Sequence, residues 1–183
     1  MALDLMRKFG RYAVIAFVAV VAAGIAGLAT YDGFHFYPHV SRATAIANSL
    51  DRAKDWPSSE FLRLWKSQAQ WGRTCWSAKL LYLEVNAYER LTPGQWMLWC
   101  VLSTIHLTEQ EQLALYLKLT PVGIGRKGLI GAASDLFGKH MADLTVDEMG
   151  VLLALARLPY LRDRPEKLNE IARSIIRASK NEI

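Results

Sequence analysis

Three glycines and two cations between residues 123 and 128 form the group most suggestive of chemistry. Gly123, Gly125 and Gly128 match the pattern G-x-G-x-x-G, and Arg126 and Lys127 lie between them. A dinucleotide fold requires a strand before these glycines, whereas a predicted helix precedes them here. Because backbone N–H groups are free at the start of a helix, the loop could instead hold an anion. An ordinary loop with two solvated cations explains the same residues.

The four histidines give no clear metal site. His35 and His39 have the i, i+4 spacing of a helical metal pair, but Pro38 between them argues against a helix. His106 and His140 stand apart from the other histidines in the sequence. Gly-x-Ser-x-Gly elbows, Walker loops and zinc-ligand spacings are absent from the sequence. We therefore expect no resident metal or other cofactor; a divalent metal would be needed only if the chain were an active transferase.

The two cysteines, Cys75 and Cys100, lie in apolar surroundings and form no CxxC pair. This setting favours two buried thiols. A disulfide is the alternative in an oxidising compartment, although two cysteines do not make a disulfide framework.

A set of short motifs occurs in a fixed order between roughly Thr108 and Ala178. Its members are Tyr116-Leu117, the three glycines, Ala132-Ala133, Phe137-Gly138-Lys139, Leu144-Thr145 with Glu148, and Pro159 with Pro165. The set resembles the peptidoglycan glycosyltransferase (transglycosylase) domain found in class A penicillin-binding proteins and in monofunctional transglycosylases. Lys118 stands where that family usually has asparagine.

The resemblance implies an all-α, lysozyme-like domain, whole or truncated. That family polymerises glycan strands from lipid II at the outer face of the inner membrane. A glutamate acts as general base, and cations, often with a divalent metal, support the diphosphate leaving group. Carried onto this chain, the resemblance gives substrate-binding positions at Gly123, Gly125, Gly128, Arg126, Lys127 and Lys139.

The family's first motif, Glu-Asp-x-x-Phe-x-x-His, is only partly kept. Phe36 and His39 match, and Asp32 stands where the base glutamate would be. Asp32 is thus the candidate catalytic residue, with a side chain one methylene shorter. A displacement of about 1 Å can cost on the order of 100-fold in rate.

The family's other two upstream motifs are largely replaced. The Arg-Lys-x-x-Glu motif falls on Thr92 to Trp96, which contains neither cation nor glutamate. The Gly-Gly-Ser-Thr-Ile-Thr-Gln-Gln motif falls on Gly72 to Lys79 and keeps little of its pattern. Glu84 and Glu89 are nearby acids, but they read as the solvated face of a helix. Because a diphosphate leaving group needs cations or a metal, we expect impaired catalysis.

One apolar segment, Tyr12 to Thr30, has the length and composition of a membrane span. Arg7, Lys8 and Arg11 precede it and account for much of the net charge of +5. Because basic residues stay cytoplasmic, we expect the rest of the chain outside. A cleaved signal peptide is the alternative to a retained anchor, and either would export the domain. The basic residues thus indicate orientation, and no nucleic-acid-binding signature is present.

The remaining chain predicts an all-α domain. Three capping boxes mark helix starts at Thr92, Thr108 and Thr145, and Gly138 marks a helix end. The pattern over 31–56 is weak. The predicted helices lie near residues 57–70, 75–90, 93–106, 109–119, 128–137, 146–157 and 166–180. The domain organisation expected is a basic tail at 1–11, an anchor at 12–30 and an exported domain at 31–183.

Three functional readings follow. The first is an anchored, periplasm-facing protein of the bacterial inner membrane that has weak or no polymerase activity and binds membrane lipid, a lipid-linked glycan precursor or cell-wall synthesis proteins. The second is a divergent active transglycosylase that uses Asp32 as base and Arg126 or Lys127 at the diphosphate. The third is a small membrane-associated helical adaptor that shares only the scaffold. None of them involves nucleic acid.

Overall fold

The structure, a computed structural model, describes residues 2–67, 70–85, 92–123 and 128–180. Over these ranges the chain is helical, with short turns and no β-strand. The all-α prediction is therefore confirmed. The α-helices are α1 (Ala2–Tyr31), α2 (Tyr37–Asn48), α3 (Ser59–Lys66), α4 (Gln70–Val85), α5 (Pro93–His106), α6 (Glu109–Leu119), α7 (Leu129–Phe137), α8 (Val146–Arg157) and α9 (Pro165–Lys180).

The chain divides into two compact units, Met1–Pro38 and His39–Ile183. The first unit contains α1, which covers both the basic tail and the apolar segment. One helical run among the described residues, Ala13–Asn48, is long and apolar enough to cross a membrane, with a mean hydropathy of 2.4 and none of its apolar window buried. Such a run is a candidate membrane span or signal sequence.

A wide helical turn separates α1 from α2 and corrects the expectation at Pro38. Residues Asp32–Phe36 form a π-helical turn, in which the Tyr37 N–H donates to the Asp32 carbonyl. Pro38 therefore lies inside a helical run. Proline normally clashes with the carbonyl four residues earlier, and a π turn is one of the distortions that relieves such a clash. The prediction that Pro38 prevents a helix was wrong.

The second unit is built around α8. Most of this helix is buried, including Met149, Gly150 and every residue from 152 to 156. It contacts α3, α7 and α9. The α9 contact is close because Gly150 has no side chain: a Cβ there would lie 2.8 Å from the Ile176 side chain and 3.2 Å from the Ala172 carbonyl. Glycine thus permits α9 to approach the central helix.

The part of α2 in the second unit is held to three other helices. Arg42 pairs with Glu84 of α4 at 2.7 Å, and the Thr44 hydroxyl donates to Glu111 of α6 at 2.5 Å. The His39 ring stacks on Trp99 of α5 at 6.0 Å between centroids. Sequence analysis found no element here because the 31–56 pattern is weak. These contacts with distant residues therefore stabilise α2, which the local sequence pattern does not predict.

All three predicted capping boxes are present. In each, the threonine side chain accepts from the backbone N–H three residues later, and the Gln or Glu at that position accepts from the threonine N–H. Helices α5, α6 and α8 accordingly have the predicted bounds. Helix α3 is shorter than predicted because Ser58 caps its start and Ser67 ends it. Helix α4 begins at Gln70 rather than 75, and its predicted end lies outside the described residues.

A disulfide joins Cys75 of α4 to Cys100 of α5, with the two Cα atoms 4.5 Å apart. The expectation of two separate buried thiols was wrong. Both cysteines are buried, as expected, but the packing of α4 against α5 brings them to bonding distance. Such bonds persist in oxidising compartments.

Candidate functional site

A polar cluster lies at the start of α8, within the ordered set of motifs found in the sequence. Gly138 ends α7 in the left-handed conformation, with φ at 65°, and Lys139 follows it. Lys139 Nζ lies 2.8 Å from Oε1 and 3.0 Å from Oε2 of Glu148. Glu148 Oε2 also accepts from the Thr145 N–H at 2.8 Å and from its hydroxyl at 2.9 Å. One carboxylate thus serves both a capping box and an ion pair.

This geometry fixes the charge state of Glu148. The hydrogen bond from Lys139, followed by the bond from the Thr145 backbone, lowers the pKa of the Glu148 carboxyl from its ordinary value of 4.5. The carboxylate is therefore ionised at neutral pH and is a poor proton acceptor. Lys139 keeps 38% of its side chain exposed, so its charge is shared between Glu148 and solvent.

Gly128 has a packing role at the start of α7. Its φ is 95°, and its N–H donates to the Thr120 carbonyl at 2.8 Å. A Cβ at this position would lie 2.6 Å from the Lys118 carbonyl oxygen and 3.2 Å from that of Leu117. Glycine is therefore required by the close approach of α7 to the end of α6, whether or not a ligand binds nearby.

Gly123 lies on the other side of the loop, with φ at 135°. A Cβ there would meet the guanidinium of Arg162 at 3.4 Å, an ordinary contact distance. Arg162 belongs to the short 3₁₀ turn Pro159–Asp163 that follows α8. The structure thus places a cation beside this glycine that sequence analysis missed, because it comes nearly forty residues later in the chain.

The predicted binding residues that the structure describes are not gathered at one point. Gly125, Arg126 and Lys127 lie outside the described residues. Gly128 and Lys139 stand at opposite ends of α7, about 16 Å apart at the usual rise of an α-helix. Lys139 and the start of α7 therefore cannot contact the same phosphate group.

Asp32, the candidate base, lies in the first unit at the first position of the π turn, and its side chain is partly exposed. The other site candidates lie in the second unit. Asp32 stays a prediction from the resemblance.

The positions matched to the family's third motif have structural roles at the start of α5. Thr92 is the N-cap and accepts from the Gln95 N–H at 3.4 Å, while Gln95 Oε1 accepts from the Thr92 N–H at 2.9 Å. Pro93 occupies the first helical position. Trp96 is partly buried. None of these side chains carries a charge that could neutralise a diphosphate.

The positions matched to the second motif also serve packing. The Thr74 hydroxyl donates to Gln112 of α6, and Lys79 Nζ lies 4.9 Å from the Trp76 ring centre. Glu84 is a structural residue rather than a solvated one, because it pairs with Arg42 of α2. Glu89 lies outside the described residues.

A second carboxylate with a well-defined environment is Glu111. Burial pushes its pKa up, but hydrogen bonds from Thr44 and Thr108 outweigh burial, so the pKa of the Glu111 carboxyl is lowered. Sequence analysis found Glu111 as part of a capping box but could not find Thr44, which lies 67 residues away. This carboxylate joins α2 to α6 and stays ionised at neutral pH.

Metal-binding geometry is not found in the described ranges: no three His, Cys, Asp or Glu side chains there are grouped to hold an ion. The His35 ring lies tilted against that of Tyr31, 4.8 Å between ring centroids, and His39 stacks on Trp99. No protein-family model matches the chain, and no curated protein matches it significantly.

Proposed function

We propose that this protein is a single-pass, membrane-anchored protein of the bacterial envelope whose exported helical domain derives from a peptidoglycan glycosyltransferase scaffold. In this proposal the domain binds a lipid-linked glycan precursor or a partner in wall synthesis and does not polymerise glycan. The ordered motifs from Tyr116 to Pro165 support the relationship to the glycosyltransferase scaffold. Further observations, on α5, on the start of α8 and on the N-terminal segment with the disulfide, support the proposed loss of catalysis and the proposed location.

The loss of catalysis is carried by one observation, the capping box at the start of α5. The positions that match the family's two cations and glutamate are Thr92, Pro93 and Trp96, and Thr92 is committed to hydrogen bonds with Gln95. A threonine, a proline and a tryptophan offer neither positive charge nor a titratable acid. Electrostatic stabilisation of a departing diphosphate is usually the largest catalytic term, so its absence here favours a binding protein over a polymerase.

The polar cluster at α8 supports the same view. The Glu148 carboxylate is ionised and bound by Lys139 and Thr145. It therefore stabilises the junction between α7 and α8 and is poorly suited to accept a proton from an acceptor hydroxyl. The resemblance assigns Lys139 to substrate binding, and its side chain is 38% exposed, so its charge can attract an anion such as a diphosphate.

The location is supported by two independent features. The apolar run of α1 is preceded by Arg7, Lys8 and Arg11, which favours a cytoplasmic N-terminus and an exported domain. The Cys75–Cys100 disulfide suits an oxidising compartment. Both features agree with a domain that faces the periplasm.

The full chain, reconstituted in lipid vesicles, provides the test. We expect fluorescent lipid II to remain unpolymerised on gels. We also expect vesicles that carry lipid II to bind the domain, or a wall-synthesis partner, more tightly than plain vesicles do. Lys139→Ala should weaken such binding, and Lys180→Ala, which removes an exposed cation at the end of α9, is the matched control.

The divergent-enzyme reading makes the opposite prediction. Glycan chains would form, and they would disappear in Asp32→Ala but persist in Asp163→Ala, an exposed carboxylate in the turn after α8. That pair of results would reject the loss of catalysis and assign the general base to Asp32.

A further inference from the structure

Helix α5 presents an apolar face to its surroundings. Met97 is 62% exposed and Ile105 is 65% exposed. Val101, one turn from each along the helix, is partly exposed, and Thr104 is exposed beside Ile105. These four residues, called here the α5 outer face, follow the i, i+4, i+7, i+8 pattern of a single helical stripe.

Helix α5 is largely apolar on its inner side and also on its outer side. Its inner side buries Trp99 and Leu102 but also Cys100 and Ser103. The Ser103 hydroxyl is fully buried and has no hydrogen-bond partner among the described residues. A surface helix usually directs serine outward and methionine or isoleucine inward. With methionine and isoleucine exposed and a serine buried, the outer face is not adapted to bulk water.

The outer face also presents no polar side-chain group that needs an external hydrogen-bond partner. Helix α5 contains no Asp, Glu, Lys or Arg. The Thr104 hydroxyl donates to the Cys100 carbonyl at 3.0 Å, so its methyl group is what it offers outward. At the start of the helix, Gln95 is bound to Thr92. A protein interface of normal size has several direct hydrogen bonds and a polar rim, whereas the acyl region of a bilayer satisfies none.

The chain itself tethers the second unit to a bilayer if the anchor in the proposed function is correct, and the inference rests on that anchor. The apolar helix ends at Tyr31 and the second unit begins at His39. Eight residues span at most about 28 Å even when fully extended. A membrane surface is therefore always within reach of the domain, which raises its effective concentration over any free partner.

We propose that the α5 outer face lies in the surface of the membrane to which the chain is anchored, in contact with lipid acyl chains. Met97, Val101 and Ile105 would sit at the boundary between headgroups and acyl chains. On this proposal the α5 outer face contacts lipid and does not bind a second copy of the chain or another protein.

The test uses the full chain reconstituted in vesicles of phosphatidylethanolamine and phosphatidylglycerol that carry a doxyl-labelled lipid. A fluorophore is attached at Met97→Cys or Ile105→Cys, without reductant so that the native disulfide stays closed. The matched control is Ser174→Cys, an exposed position on α9. An interfacial helix buries its apolar face ~5–10 Å below the headgroups, so we expect roughly threefold stronger quenching at 97 and 105 than at 174.

A probe at Val18→Cys, in the apolar part of α1, separates this inference from the proposed function. Strong quenching at 18 with equal, weak quenching at 97, 105 and 174 would reject the lipid contact and leave the anchor standing. Self-quenching between probes at 97 without lipid quenching would assign the face to a second copy and likewise reject the inference. Weak quenching at 18 would reject the anchor and this inference together. Circular dichroism of each variant verifies that the helices are retained.

Discussion

Lys139 Nζ lies 2.8 Å from a carboxylate oxygen of Glu148, and this ion pair closes the turn between α7 and α8. Lys139 follows the glycine that ends α7, while Glu148 is the third residue of α8 and completes its capping box. The pair therefore links the residues that follow α7 to the first turn of α8. The same two residues belong to the motifs that resemble a glycosyltransferase domain, so a structural role accounts for both of them.

Two substitutions at Glu148 should separate its two interactions. Glu148→Gln keeps an acceptor for the capping box but loses the ion pair, and we expect a loss of about 0.5 kcal/mol in the free energy of unfolding. Glu148→Ala removes both interactions and should cost about 1–2 kcal/mol. Urea denaturation followed by circular dichroism measures both values. Equal losses for the two variants would show that the cap contributes nothing.

The ion pair also predicts a dependence on pH. Because the folded-state pKa of Glu148 is lowered, its contribution is fully present above the ordinary pKa of 4.5 and is lost as the pH falls through the folded value. The stability difference between the natural chain and Glu148→Gln should therefore be fully present near pH 7 and should disappear as the pH falls through the folded-state pKa. Denaturation midpoints at several pH values test this, and a difference that grows on acidification contradicts it.

Gly128 and Gly131 should respond oppositely to alanine. Gly128→Ala places a Cβ 2.6 Å from the Lys118 carbonyl at a φ of 95°, and we expect a loss of about 2–3 kcal/mol. Gly131 lies exposed within α7, and an added Cβ there meets nothing within 4 Å. Gly131→Ala should therefore stabilise the domain by about 0.5–1 kcal/mol through helix propensity. Thermal unfolding of the two variants side by side gives the comparison, and similar shifts in Tm would contradict the packing explanation.

The disulfide should contribute measurably to stability. The double variant Cys75→Ala and Cys100→Ala removes the disulfide and leaves no unpaired thiol. Its free energy of unfolding should be about 2–4 kcal/mol lower than that of the oxidised chain. Thiol titration of protein purified from an oxidising compartment, without reductant, should find no free thiol. Two free thiols per chain would show instead that the cysteines stay reduced and would weaken the argument for export.

The positions of α5, α6 and α8 follow from sequence because their start signals are local. A threonine and a Gln or Glu three residues later can bond to each other's backbone without help from the rest of the chain. The apolar character of α1 is likewise a property of a continuous segment. The resemblance to a glycosyltransferase scaffold also came from sequence order, and it stays a prediction.

Other features depended on contacts between distant residues. Sequence analysis missed α2 because Arg42 and Thr44 find their partners, Glu84 and Glu111, only when α2 packs on the domain. It favoured free thiols because Cys75 and Cys100 come together only through the packing of α4 against α5. Gly128 looked like a ligand-loop residue until its contact with the end of α6 was visible.

Sequence by itself therefore determined the helical class, three helix starts and an apolar segment fit for a membrane, because each depends on residues that are neighbours along the chain. The tertiary structure alone decided the disulfide, the attachment of α2, the closure of the α7–α8 turn by Lys139, and which side of α5 faces outward. These depend on the packing of whole helices, whose free energy is spread over many side chains far apart in sequence.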